Sequence, residues 1–426
     1  MRVTEQAEDI ARRVKEIPSK HWADGALFRH YGAVLDDPTP ADVRFFRSLL
    51  RRTEKTFVRR NIRKIGKDEG RRVIDVPSSP QTALKVVCVS SQLDIWSQTR
   101  LKLTSLRDGR RALRATPAFC RRDWDIWKDD RLSELKAALK FKPNIICFPE
   151  FSYPPPHYPE AEGLKLSDEK AAAGRRGEFE KSALALVGKS EIFLCLGSYH
   201  CPMSLYNISV IYPWGPHQWM RAQHVKNDTS TTEFGGIEKE PLIVRNDFEA
   251  PAIYRKRFPA QKLGEQVRTP AGRKVDVFHS GVGNILVLIC SDVLDLNQFL
   301  MIVHENQNQP DYDCILIPSY NPSPMFSDLC RDLSAFAATT VIVANARDSS
   351  RRDFPPSEIY VCGDNTEELN SSSFDERHGV LLKKQSKPVG ASELTYFELN
   401  KERLKNARDV HRTRMQVGEA PTGKPK

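Results

Sequence analysis

What most constrains the fold of this chain is a set of short, unbroken apolar runs, each of which stops on polar residues. Five stand out: "NIICFPE" (144–150), "EIFLCLGSYH" (191–200), "NILVLICSD" (284–292), "CILIPSY" (314–320) and "VIVANAR" (341–347). A run that is apolar at every position has no wet face, so it suits a strand covered on both sides. Helical segments lie between them: "RLSELKAALKF" (131–141), "EKSALALVGK" (180–189) and "SDLCRDLSAFAATT" (327–340). Buried strands separated by helices predict an α/β fold in which helices cover the sheets. "LKVVCVSSQLD" (84–94) adds a first strand. "LYNISVIYPWGPHQWMRAQHVK" (205–226) alternates around a Pro-Trp-Gly-Pro turn and predicts a hairpin, and "KVDVFHSGVGNILVLIC" (274–290) predicts another strand pair.

The 426 residues allow one large domain with extensions. A content of 40% hydrophobic and 28% charged residues suits a globular protein with a substantial core. The net charge of +10 is unevenly placed. Between Arg44 and Arg72 there are twelve Lys/Arg against three acidic residues, on a stretch with apolar residues at helical spacing. Residues 1–80 therefore read as a basic, mostly helical N-terminal extension. Its outer face suits either plain solvation or contact with nucleic acid or another acidic partner. A second basic stretch, Arg100 to Arg122, has eight Lys/Arg and one acidic residue, and Trp124 and Trp127 follow it. The polar residues 406–426, punctuated by Pro and Gly near their end, read as a loose tail.

No apolar run approaches the roughly 18 residues needed to cross a bilayer, and the first residues lack a secretory apolar stretch. Nine scattered cysteines, several inside apolar strands, suit reduced thiols. These features predict a cytoplasmic protein with no membrane contact. There is no CxxC and no His/Cys cluster at zinc spacing, so no metal site is assigned. A GxSxG elbow and a GxxxxGK phosphate loop are also missing, and His304 and His378 lack the context of a papain-like partner.

Two strand ends carry chemistry. One apolar run leads to Glu150 and another to Cys290, and α/β proteins place their active groups at such ends. Taken singly, a cysteine in an oily strand is usually a core residue. A carboxylate near a thiol, however, can accept its proton and free a thiolate nucleophile. A cation would then hold the oxyanion of a tetrahedral intermediate. The hairpin supplies one at Lys226, in "MRAQHVKND". Asp292, two residues after the cysteine, reads as a fixer of local backbone geometry.

Glu, then Lys, then Cys, each ending a strand, resembles the order of the nitrilase superfamily of carbon–nitrogen hydrolases. "VVCVSSQLD" is similar to its opening strand, "NIICFPE" to its Glu motif, and "LCLGSY" with "LYNISVIYPWG" to its third strand and Asn-containing hairpin. "GNILVLICSD" is similar to its Cys motif. "CILIPSYNPS", the next helix and "VIVANAR" follow in family order. "SSSFDERHGVLL" through "LTYFELNKERL" looks like the closing hairpin. The resemblance spans 81–405 and implies a four-layer α-β-β-α sandwich. It leaves out residues 1–80 and an insertion near 97–128. It further implies hydrolysis of a non-peptide amide or carbamoyl C–N bond, or acyl transfer to an amine, on a small amide-type substrate. The steps would run through a Cys290 acyl-enzyme, with Glu150 as base, Lys226 as oxyanion cation and Glu233 as support. The resemblance implies no cofactor, and a homodimer.

One departure leaves two lysines open. The 64 residues from Lys226 to Cys290 are unusually many, and "IYRKRFPAQKLGEQ" within them is similar to the Tyr-Arg-Lys that often carries the family lysine. Lys256 with Glu265 thus competes with Lys226 and Glu233. The hairpin ending at Lys226 is the more economical structure. The foreign N-terminal region and this long segment also support a different reading, a specialised binding or signalling module with little or no activity.

Overall fold

The computed structural model describes residues 71–76, 78–94, 101–105, 111–115, 121–153, 166–188, 190–200, 207–212, 252–255, 275–294, 312–322, 324–349, 354–362 and 380–417. Two sheets form its centre. The first has six strands in the order β1 (Arg71–Asp75), β9 (Val275–Ser280), β10 (Gly283–Val287), β11 (Cys314–Ser319), β12 (Thr340–Asn345) and β13 (Glu358–Tyr360). The second has seven, in the order β14 (Leu381–Val389), β15 (Ser392–Asn400), β2 (Ala83–Ser90), β5 (Ile145–Cys147), β6 (Phe193–His200), β7 (Asn207–Tyr212) and β8 (Ala252–Arg255).

The unbroken apolar runs are the middle strands of these sheets. β2, β5 and β6 pair in parallel, with Cys88, Cys147 and Cys195 side by side. β10, β11 and β12 pair in parallel in the other sheet. Every residue of β5, β11 and β12 is buried, because both faces are covered. On one side β2 meets β12 across the two sheets. On the outer side α1 (Arg121–Leu139) lies over β2, β14 and β15, with α2 (Leu166–Val187) alongside it, while α3 (Pro324–Ala337) covers β12 and β13. The layers therefore run α-β-β-α, as the motif order implied. Val86, Val87, Ile146, Leu316 and Ile342 belong to one continuous core that joins the two sheets to α1 and α2, through Leu135, Ala138, Phe179 and Leu184.

Several boundaries differ from expectation. The basic extension was expected to run to residue 80, but β1 is a strand of the six-stranded sheet and pairs with β9. The remainder of Arg44–Arg72 lies outside the described residues. Within the insertion, β3 (Leu101–Ser105) and β4 (Arg111–Ala115) form a separate antiparallel pair, and Trp124 and Trp127 are buried on α1. The tail expected from residue 406 is helical to Val417, as α4 (Lys401–Val417). Its polar composition conceals an anchor: the buried Arg408 donates to the Tyr312 carbonyl at 3.2 Å and pairs with Asp313 at 2.5 Å.

β7, the first strand of the expected hairpin, is flanked by β6 on one side and β8 on the other, with Ile208 opposite Arg255 and Ile211 opposite Ala252. The second half of that hairpin, "WMRAQHVK", lies outside the described residues. No described helix is long and apolar enough to cross a membrane.

Candidate active site

Glu150 is carried by the turn that leaves β5. Phe148 N–H donates to the Cys195 carbonyl at 2.9 Å, and Phe151 N–H to Ser198 Oγ at 3.2 Å. The turn closes because Phe151 adopts a left-handed conformation, φ 61°. Opposite it, β6 breaks register between Cys195 and Ser198. Gly197 lies there at φ +79°, so close that an added Cβ would fall 2.0 Å from both the Pro149 carbonyl oxygen and Ser152 Oγ. Only glycine lets the two backbones approach this closely. The Ser152 hydroxyl, 2.8 Å from the Pro149 carbonyl and 2.7 Å from that of Leu196, shares its proton between the two and stitches the turn to β6. Glu150 is thereby fixed in a buried position, 1% exposed.

Cys290 leaves β10 from the other sheet. Leu288 N–H still donates to the Leu316 carbonyl at 2.9 Å, after which the chain turns into a short 3-10 segment, Cys290–Leu294. Cys290 itself sits at φ 42°. For a residue with a Cβ this costs of order 1–3 kcal/mol and persists only where the surroundings enforce it. Asp292 helps to enforce it: its Oδ2 accepts the Ile289 N–H at 3.0 Å, and its own N–H donates to the Ile289 carbonyl at 2.9 Å. Its contacts are those of the backbone fixer read from the sequence.

The two sheets meet chemically at the end of β11. Tyr320 N–H donates to Glu150 Oε2 at 3.1 Å. Its neighbours turn the other way. Ser319 Oγ–H donates to Cys290 Sγ at 3.4 Å, and Asn321 Nδ2 lies 3.8 Å from the same sulfur. Three consecutive residues thus touch both the carboxylate and the thiol. Asn345, at the end of β12, pins this segment: its Oδ1 accepts the Asn321 N–H at 3.0 Å and its Nδ2 donates to the Asn321 carbonyl at 2.9 Å. The Tyr320 ring packs against Phe151 and Phe354 in an aromatic cluster with Trp124 and Trp127, and its hydroxyl bonds Asp348.

Other described cysteines lie in a different environment. Burial pushes the thiols of Cys88, Cys147 and Cys314 well up, which keeps them protonated, and Cys147 Sγ donates to the Phe148 carbonyl at 3.7 Å. Cys290 Sγ instead accepts from a hydroxyl. The structure therefore brings Glu150 and Cys290 to one place. Lys226, Glu233, Lys256 and Glu265 lie outside the described residues. Sequence reasoning did not single out Ser319, Asn321, Gly197 or Asn345. "CILIPSYN" carried a usable signal, since it too is an apolar run that ends on polar residues.

No protein-family model matches the chain, and no curated protein matches it. Among solved structures it is similar to the C. elegans NitFhit protein, at 12% identity and a TM-score of 0.44 over 80% of this chain and 66% of that one. The chain thus spans just under two thirds of NitFhit. It is also similar to an amidase from Nesterenkonia sp. (13% identity, TM-score 0.38, 79% of this chain and 98% of that one). A third is a carbon–nitrogen hydrolase from Helicobacter pylori G27 (12% identity, TM-score 0.38, 77% and 93%).

Proposed function

We propose that this protein is a thiol hydrolase of non-peptide C–N bonds of the amide or carbamoyl type, with Cys290 as nucleophile and Glu150 as proton carrier. The observation that carries the reading is the shared strand end: Ser319, Tyr320 and Asn321 bond the Cys290 sulfur and the Glu150 carboxylate at once. Both groups are thus tied to one segment, whose Tyr320 packs in an aromatic cluster with Phe151, Trp124 and Trp127.

The steps balance as follows. The Glu150 carboxylate takes the Cys290 proton, and the thiolate attacks the substrate carbonyl carbon. The C=O electron pair moves to oxygen, where a lysine and a backbone N–H stabilise it. The C–N bond breaks as Glu150 returns the proton to the departing amine or ammonia, leaving a thioester on Cys290. Water gives a proton to the same carboxylate, adds to the thioester, and the C–S bond breaks to release the acid, the sulfur taking back the proton from Glu150.

The pairing of β7 with β8 supports Lys256, with Glu265, as the lysine and its support. Lys256 directly follows Arg255, the last residue of β8, as the lysine should follow the second strand of the hairpin. Lys226 with Glu233 had been favoured because a hairpin was expected to end there. The test is ammonia or amine release from a panel of small linear amides and carbamoyl compounds, together with mass-spectrometric trapping of the acyl group. Cys290→Ala should abolish turnover and the trapped adduct, and Glu150→Gln should lower turnover by about 10²–10⁴-fold. Lys256→Ala should be as damaging, with Lys226→Ala near wild type. Turnover that survives Cys290→Ala would refute the mechanism, and the opposite lysine pattern would return the role to Lys226.

A further inference from the structure

The end of β11 does more than bring two catalytic groups together. Ser319, the last residue of β11, and Asn321, two residues beyond it, both direct a donor at Cys290 Sγ. Ser319 is fully buried. The backbone of Asn321 is held at both its N–H and its carbonyl by Asn345. Asn345 is in turn fixed through Ser357 Oγ, 3.0 Å from its N–H, and the Pro355 carbonyl, 2.9 Å from its Nδ2. Two donors on a clamped strand end thus converge on one sulfur.

Resting on the reading of Cys290 as nucleophile, we propose that Ser319 and Asn321 are positioning residues that stabilise the Cys290 thiolate formed when Glu150 takes its proton, and aim it. A hydrogen bond donated to sulfur is stronger when the sulfur carries a negative charge, so each donor favours thiolate over thiol. The same donors steady the sulfur when the thioester C–S bond breaks and the electron pair returns to it. The core thiols Cys88, Cys147 and Cys314, which burial holds protonated, are an internal contrast.

The test is the pH dependence of iodoacetamide labelling at each cysteine of the full chain, mapped by mass spectrometry. It needs no substrate. Ser319→Ala and Asn321→Ala should each move the labelling midpoint of Cys290 upward by about one pH unit, since a hydrogen bond to a charged group contributes about 1.5 kcal/mol or more and one unit is 1.36 kcal/mol. The rate above the midpoint should stay within a few-fold. Ser319→Thr, which keeps the hydroxyl, should restore the wild-type midpoint. A structural defect alone would expose the core cysteines as well, so their labelling must stay slow. Unchanged midpoints in both alanine variants, with Cys290 still labelling selectively, would overturn this inference and leave the hydrolase reading intact. A wild-type Cys290 that labels no faster than the core thiols would overturn both.

Discussion

Gly197→Ala offers the sharpest test of how the Glu150 turn is built. Two separate costs are expected. Its φ of +79° penalises any Cβ, at about 1–2 kcal/mol. The new methyl would also stand 2.0 Å from the Pro149 carbonyl oxygen and from Ser152 Oγ, so the turn must move. That movement breaks the bonds from the Ser152 hydroxyl to the Pro149 and Leu196 carbonyls, which adds about 1–3 kcal/mol for buried polar groups left unsatisfied. Gly390 isolates the first cost, because it sits at φ +59° with nothing within 4 Å of an added Cβ. Gly390→Ala should therefore cost about 1–2 kcal/mol, and Gly197→Ala about 2–5. In urea, with a slope of about 3 kcal/mol per M, the difference of about 2 kcal/mol separates their midpoints by roughly 0.7 M. Ser152→Ala, which keeps the backbone free of strain, should fall between them. Coincident midpoints for the two glycine variants would refute the close-approach argument.

Two further substitutions probe buried charge. Arg131 and Glu134 pair at 2.6 Å on α1, both 2% exposed, with Ser91 Oγ donating to the carboxylate at 2.8 Å. Burial raises the Glu134 carboxyl above its usual range, and Arg131 opposes the shift. Arg131→Met should cost about 3–5 kcal/mol near neutral pH, and adding Glu134→Gln should recover most of it. Removing the arginine raises the Glu134 carboxyl further. A raised folded-state value gives stability that is present below the unfolded value and lost as pH rises through the folded one, so the deficit should be larger at pH 8 than at pH 5 in urea melts. Arg408→Leu should lower the thermal midpoint by removing the bonds to Tyr312 and Asp313, with a cost of about 1–3 kcal/mol because Asp313 is partly solvated. An unchanged midpoint would show that α4 adds no stability at Arg408.

The middle of the fold was legible because a strand buried on both faces must be apolar at every position. That rule located β5, β6, β10, β11 and β12, and it also marked Glu150 and Cys290 as the places where the apolar runs end. The partner of β7 was harder to place because pairing is not local. "WMRAQHVK" alternates around its turn as a second strand would, yet β7 pairs with 252–255, across residues 213–251. Nothing in the local pattern of either segment distinguishes them; only the choice of partner does. Arg408 was hidden for a related reason, since a polar segment reads as solvated unless the depth of its partner carbonyl is known.

The site also shows why its precision depends on β11. Glu150 leaves the seven-stranded sheet and Cys290 the six-stranded one, so no single strand pairing sets their separation. The end of β11 links them through Ser319 and the two residues after it, with Ser319 opposite Asn345 of β12. A slip of one residue in β11 would turn the Ser319 side chain to the other face and away from the sulfur, because the side-chain period of a strand is two. The apolar run Cys314–Ile317, buried on both faces, exerts no such register control by itself, since either face is equally oily. Register must come from the polar ends. There the Asn345 side chain bonds both backbone groups of Asn321, and at the other end Thr339 Oγ1 donates to the Tyr312 carbonyl at 2.8 Å. The residues that fix the strand's register are therefore bonded to the residues that fix the sulfur, so that in this fold the accuracy of the site and the accuracy of the sheet are one property.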